Sequence, residues 1–212
     1  MVVKDPIKLV ITNYPEGKTE TFDVANDPQS ENPTTRKVSF SRELWVEKSD
    51  FAEVPPPKFF RLKPGGEVRL MGAYIVRCDE VIKNDAGEVV ELRCTADLET
   101  GCGNPVDGRK IKGTIHWVDV ATAKTATIRD YDYLFTQANV FDLPEGATFR
   151  DVVNPNSVTV YPDAKLEACL ENTEELERFQ FVRNGYYCKD KLPDTYNCIV
   201  GLRDTWAKQQ AK

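Results

Sequence analysis

The stretch "EVRLMGAYIVRCDEVIKNDAGEVVELRCTADL" (67–98) decides the fold. Val68, Leu70, Tyr74, Val76 and Cys78 share one parity, and Arg69, Met71 and Arg77 share the other. Successive side chains of a strand point to opposite faces, so this alternation predicts half-buried strands over 67–84 and 89–98. "NDAG" (84–87) between them is hairpin-turn chemistry. Arg69 and Met71 are then expected to face away from the apolar side.

The same period continues outward. Strands are predicted over 7–14, 19–24, 37–48, 110–120, 124–135, 157–162, 178–190 and 196–204, each rich in β-branched and aromatic residues. "YPEG" (14–17) and "KPGG" (63–66) are turns. Helix signals are few. "DAKLEACLEN" (163–172), with Asp163 as N-cap, is the best of them. "SDFAEV" can form one short turn before prolines 55–57 stop it. Many short strands imply an all-β fold of barrel or sandwich type. The Gly/Pro-rich "TGCGNPVDG" (100–108) divides the strands into two groups and marks the expected boundary.

Composition excludes several classes. A chain of 212 residues carries one or two domains. No apolar run approaches the roughly 18 residues of a membrane-spanning helix, and "MVVKDPIKLVITNY" has charges inside its apolar stretch, unlike a secretory signal. The six cysteines form no CxxC pair, so free thiols in a reducing compartment are expected. The single histidine, His116, leaves no His-rich metal centre. A hydrolase built on it would need a nucleophile motif that the sequence lacks.

A net charge of −6 argues against a DNA-coating protein. The charge is nevertheless segregated. Residues 54–77 hold Lys58, Arg61, Lys63, Arg69 and Arg77 against Glu67 alone, and 108–129 hold five cations against Asp119. Residues 163–177 hold six acids against Lys165. Such a chain can carry a basic face on an acidic body, or merely solvated strand faces.

"GRKIKGTIHWVDV" (108–120) illustrates the choice. Its parity sets Ile111, Gly113, Ile115 and Trp117 against Lys110, Lys112, Thr114 and His116. Trp117 is expected to be a core anchor for the second group of strands. Lys110 and Lys112 are candidates for a nucleic-acid backbone contact or are simply solvated. His116 reads as a structural or surface residue.

Several long blocks, in order, resemble one family: "DPIKLVITNYPEG", "RLKPGGEVRLMGAYIVRCDEV", "GRKIKGTIHWVDV", "VVNPNSV", "FQFVRNGYYC" and "GLRDTWAK". They are similar to the C-terminal anticodon-binding region of bacterial glutaminyl-tRNA synthetase, a class I aminoacyl-tRNA synthetase. The tail block points to the glutaminyl rather than the glutamyl enzymes. The resemblance implies two β-barrels of the ribosomal protein L25-like type with few short helices. These would be a first barrel at 1–105, a second at 106–197, and a segment 198–212 returning to the first. It implies binding of the anticodon loop of glutamine tRNA, so that a catalytic domain can attach glutamine using ATP and Mg²⁺. HIGH-like, KMSKS-like, GxGxxG and Walker A motifs are missing from these residues. The chain is therefore expected to be a fragment, inactive alone, with no catalytic or metal residue and no cofactor of its own. The other expected partner is the enzyme's own N-terminal catalytic domain. A cytoplasmic monomer touching neither membrane nor DNA is implied.

An unpaired RNA loop is read by splaying its bases, stacking them on flat side chains and bonding their edges. By resemblance Arg61, Arg69, Gln180 and Arg183 occupy base-reading positions. Lys58, Asn26 and Gln29 align with secondary polar contacts, and Arg36 with a phosphate contact. Phe60 and Met71 stand where the family often has basic residues, and could stack on bases instead. Gln180 and Arg183 have opposite parity, so both can meet one ligand only if the strand bulges near Asn184-Gly185 or ends there. Two other readings compete: a stand-alone L25-like RNA-binding protein, and a β-sandwich module for protein or carbohydrate.

Overall fold

The structure, a computed structural model, describes residues 1–27 and 29–202. The tail from Arg203 onward lies outside the described residues, and with it most of the expected segment 198–212. The described residues are all-β, with short 3₁₀ turns and no α-helix. One sheet forms a half-barrel and the other closes almost completely.

Fifteen strands follow in order. In the first half of the chain they are β1 (Val2–Val3), β2 (Pro6–Ile11), β3 (Glu20–Ala25), β4 (Thr35–Phe40), β5 (Glu43–Glu47), β6 (Glu67–Leu70), β7 (Ile75–Lys83) and β8 (Val89–Asp97). Then come β9 (Thr114–Ile115), β10 (Trp117–Asp119), β11 (Lys124–Tyr131), β12 (Val158–Leu166), β13 (Arg178–Phe181), β14 (Gly185–Lys189) and β15 (Thr195–Gly201). The described residues divide into two compact units, residues 1–125 with 163–172, and residues 126–162 with those from 173 to 202.

In the first unit a seven-stranded sheet runs β10-β5-β2-β8-β7-β6-β9. The pairs β2–β8 and β6–β9 are parallel. Period-two burial builds the core: Ile7, Leu9 and Ile11 of β2 are buried while Lys8 and Val10 are less so. Val68, Leu70, Val76 and Cys78 are fully buried, as their parity predicts. The separate ribbon β3–β4 closes over an aromatic cluster. The Phe40 ring lies 5.1 Å from Trp117 and 5.3 Å from both Tyr14 and Tyr74. Tyr14 and Tyr74 both donate their hydroxyls to Glu20, at 2.7 and 2.6 Å. Burial, and then the Glu20 carboxylate, push both phenols well above their usual range.

In the second unit β15 lies parallel to β11 and antiparallel to β14, and β14 pairs with β13 as a hairpin. Phe181, Tyr187 and Tyr196 form its aromatic centre, with Phe181 stacked on Tyr187 at 4.6 Å.

Several sequence expectations change. Residues 163–172 are not helical. The chain stays extended to Leu166, where Lys165 and Leu166 pair with β1, and only a 3₁₀ turn follows at Ala168–Leu170. Ala164 and Leu166 are buried around the half-buried Lys165, so a period of two won over local helix preference. Trp117 anchors the first unit, not the second: β10 pairs with β5, and the indole Nε1 donates to Met71 O at 3.0 Å. The compact units part after Thr125, with residues 163–172 returning to the first. Met71, expected outward beside Arg69, packs partly buried against the core. The strand breaks after Leu70, and Gly72 turns it at φ +68°.

Candidate RNA interface

The principal site lies in the first unit, where residues 55–67 meet residues 108–113. Gly113 permits this approach. A Cβ there would sit 2.1 Å from the carbonyl oxygen of Phe60, so only glycine lets the two segments touch. The result is an open groove of about 540 Å³ lined by Lys58, Lys63, Lys110 and Lys112, together with Phe60 and Arg61. Prolines 55–57 form part of its wall. Among the described residues the single acid on the lining is Glu67, which accepts from Arg109 at 3.1 Å. A second groove of about 590 Å³ also has Lys110, Ile111 and Lys112 in its wall, with Arg69 and Arg109.

Arg109 is structural. It pairs with Asp97 at 2.7 Å, Asp107 at 2.8 Å and Glu67 at 3.1 Å, which ties the loop carrying Lys110 and Lys112 to β6 and β8. Phe60 is about half exposed, and the Lys112 ammonium lies 5.4 Å from its ring centroid. Basic side chains beside an exposed aromatic suit a single-stranded nucleic acid.

Arg61 is held rather than loose. Its Nε lies 3.3 Å from Asp50 Oδ1, and its Nη1 donates to Ser49 O at 3.1 Å. Arg69, on β6, donates to Cys102 O at 3.2 Å. Lys58 sits at φ +64°, a conformation that favours glycine, after Pro57 in a turn closed by Phe59 N donating to Pro56 O.

The remaining first-unit candidates sit on the β3–β4 ribbon and its loop. The Asn26 side chain donates to Thr34 Oγ1 at 3.0 Å, and the Gln29 backbone N–H donates to Asp27 Oδ1 at 3.0 Å. Both residues are exposed. Arg36 is engaged differently. It makes a two-pronged pair with the buried Glu167, at 2.6 and 2.9 Å, and also donates to Ala25 O and Asn26 Oδ1. This geometry serves the fold, and the structure does not place Arg36 beside the grooves.

In the second unit the β13–β14 hairpin carries Gln180 and Arg183. The strand ends at Phe181, and residues 182–184 turn, with Asn184 N donating to Phe181 O at 2.8 Å. Arg183 occupies the turn at φ +67°. The continuous ladder that would have kept the two side chains on opposite faces is therefore interrupted. Gln180 is exposed beside its cross-strand neighbour Tyr186, itself 44% exposed. Gly185 is obligatory, since a Cβ would lie 2.6 Å from Val200 O.

His116 is not on the surface. It is 2% exposed, between the buried carboxylates of Glu47 and Asp50. β9 ends at Ile115 and β10 begins at Trp117, so the strand breaks at His116, and residues 115–119 are all buried. Sequence reading missed Asp50 behind Arg61, and Lys63 as a groove residue. The "GRKIKG" charge cluster was the available signal for Lys110 and Lys112. Among the described residues no group of three His, Cys, Asp or Glu side chains could hold a metal, and no helix is long and apolar enough to cross a membrane.

These features meet in a known class of protein. Residues 1–97 and 114–190 each match a family described as tRNA synthetases class I (E and Q), anti-codon binding domain, and the chain belongs to that family. Within it, the chain is similar over its whole length to glutamine–tRNA ligases. It is 47% identical to that of Bradyrhizobium diazoefficiens and 47% identical to that of Rhodopirellula baltica. Over 98% of the chain it is 49% identical to the enzyme of Xanthomonas euvesicatoria pv. vesicatoria. It spans 38%, 36% and 37% of the length of these relatives, respectively.

Proposed function

We propose that this chain binds the anticodon loop of glutamine tRNA as part of a glutamine–tRNA ligase. The observation that carries the reading is the first-unit groove, with four lysines, Arg61 and the exposed Phe60 around one opening. In this reading the lysines hold phosphates and set the register of the RNA. Arg61 and Arg69 supply base-edge contacts, because a planar guanidinium offers paired donors and also stacks. Gln180 and Arg183 supply a second set from the β13–β14 hairpin. Asn26 and Gln29 add polar contacts from the β3–β4 loop, and Lys58 adds a cation at the groove.

The chemistry of aminoacylation, with its ATP and Mg²⁺, belongs to the remainder of such a ligase, and these residues perform no bond-making step. Their task is selection: correct anticodon contacts hold the tRNA for the catalytic domain. We further infer a cytoplasmic, monomeric enzyme in which this region packs against its own catalytic domain.

Binding of this chain to hairpin RNAs bearing the glutamine anticodon loop tests the reading. Preference for that loop over single-base variants is expected. Equal binding of all hairpins would favour a sequence-blind RNA-binding protein, and no binding at low salt would favour a protein or carbohydrate module.

A further inference from the structure

Asp50 is a carboxylate with 2% exposure, at the end of the 3₁₀ turn that follows β5. A buried carboxylate is costly unless it is paired, and the pair by itself adds little net stability. Its Oδ1 lies 3.3 Å from Arg61 Nε, while Ser49 O takes Arg61 Nη1. The backbones are tied as well: Leu62 N donates to Asp50 O at 2.9 Å, and Ala52 N to Leu62 O at 3.1 Å. Two edges of the guanidinium are thus engaged, Nε by the buried carboxylate and Nη1 by a backbone carbonyl at the surface.

Behind Asp50 stands His116, with Nδ1 at 3.9 Å from Asp50 Oδ2 and Nε2 at 3.6 Å from Glu47 Oε1. Glu47 is fixed in turn by the backbone amides of Lys4 and Asp5, at 2.6 and 3.2 Å. A line of buried polar groups therefore runs from the start of β2 to the groove.

We propose that Asp50 is a positioning residue that locks the Arg61 guanidinium in its base-reading orientation, with His116 and Glu47 as its buried support. This rests on the reading of Arg61 as a base contact. An arginine already ordered before RNA arrives loses less freedom on binding, and its exposed edge points one way only. Discrimination, more than affinity, is then what Asp50 supplies.

The test is a double-mutant cycle in this chain, with Asp50→Asn and Arg61→Ala made singly and together. Binding to the cognate hairpin RNA and to each single-base anticodon variant is measured. Asp50→Asn should cut discrimination about tenfold at one anticodon position, the same position affected by Arg61→Ala, as removal of a paired base contact does. In the Arg61→Ala background it should add nothing. Additive losses, or unchanged discrimination in a folded Asp50→Asn protein, would overturn the proposal. If Arg61→Ala itself leaves discrimination intact, the base-reading role of Arg61 fails and the inference falls with it. Should Asp50→Asn not fold, the unmutated protein still decides. The Arg61 Nε–H must exchange slowly in the RNA-free state, and exchange at the rate of a solvated arginine sinks the idea.

Discussion

Gly113 and the Phe60 carbonyl touch so closely that a single methyl group would land 2.1 Å from the oxygen. The approach involves backbone, which cannot swing aside as a side-chain tip can. Gly113→Ala should therefore cost about 1–3 kcal/mol through overpacking. It should also part the two walls of the groove. Thermal melting and hairpin-RNA binding should both weaken, and a variant with unchanged melting and affinity would show that the walls yield freely.

Lys110 and Lys112 line both grooves, and an ammonium lacks the planar paired donors that suit a base edge. Replacing either with alanine should weaken binding to cognate and variant hairpins alike. Removing one phosphate-binding cation should reduce the slope of log K against log salt by about 1. A change confined to one anticodon base would contradict this assignment.

Phe60 offers a half-exposed ring next to Lys112. Stacking of a base on such a ring is worth about 1–3 kcal/mol and tolerates any base. Phe60→Ala should cost that amount on every hairpin, and Phe60→Tyr should restore it. Fluorescence of 2-aminopurine placed in the loop reports the stack directly. Equal quenching by wild type and Phe60→Ala would rule it out.

Asp97 accepts from Thr100 Oγ1 at 2.6 Å and from Arg109 at 2.7 Å. These bonds, the threonine first, hold its carboxyl at about 2, below an ordinary value of 3.8. A carboxylate with a depressed folded pKa contributes stability that is complete above its unfolded value and disappears as pH falls through the folded one. The clamp on the 107–113 segment should thus hold above about pH 4 and be lost near pH 2. Arg109→Gln should raise the Asp97 titration midpoint, followed by carboxyl carbon NMR, and an unmoved midpoint would refute the pairing.

Alternating burial made most of the strands legible. Val68, Leu70, Val76 and Cys78 lie where their parity puts them. Long-range pairing was not legible. Leu166 looked helical because its partner Val2 is far away in the sequence. Trp117 was given to the wrong unit because nothing local tells Val46 from any other strand partner. Alternation also failed at His116, where a break between β9 and β10 turns an apparent outer residue inward. The base-contact candidates came from resemblance. What the residues alone could not reveal was Asp50, whose value lies in its spatial neighbour Arg61.

The run Pro55-Pro56-Pro57 gives the groove a wall whose φ angles are fixed before any ligand is present. Unliganded, such a wall has few shapes to explore. Ordering a flexible loop around RNA costs conformational entropy for every residue immobilised, and here much of that cost is met when the chain folds. Association should therefore proceed with little rearrangement of this wall, and the selectivity of the groove should reflect its shape at rest.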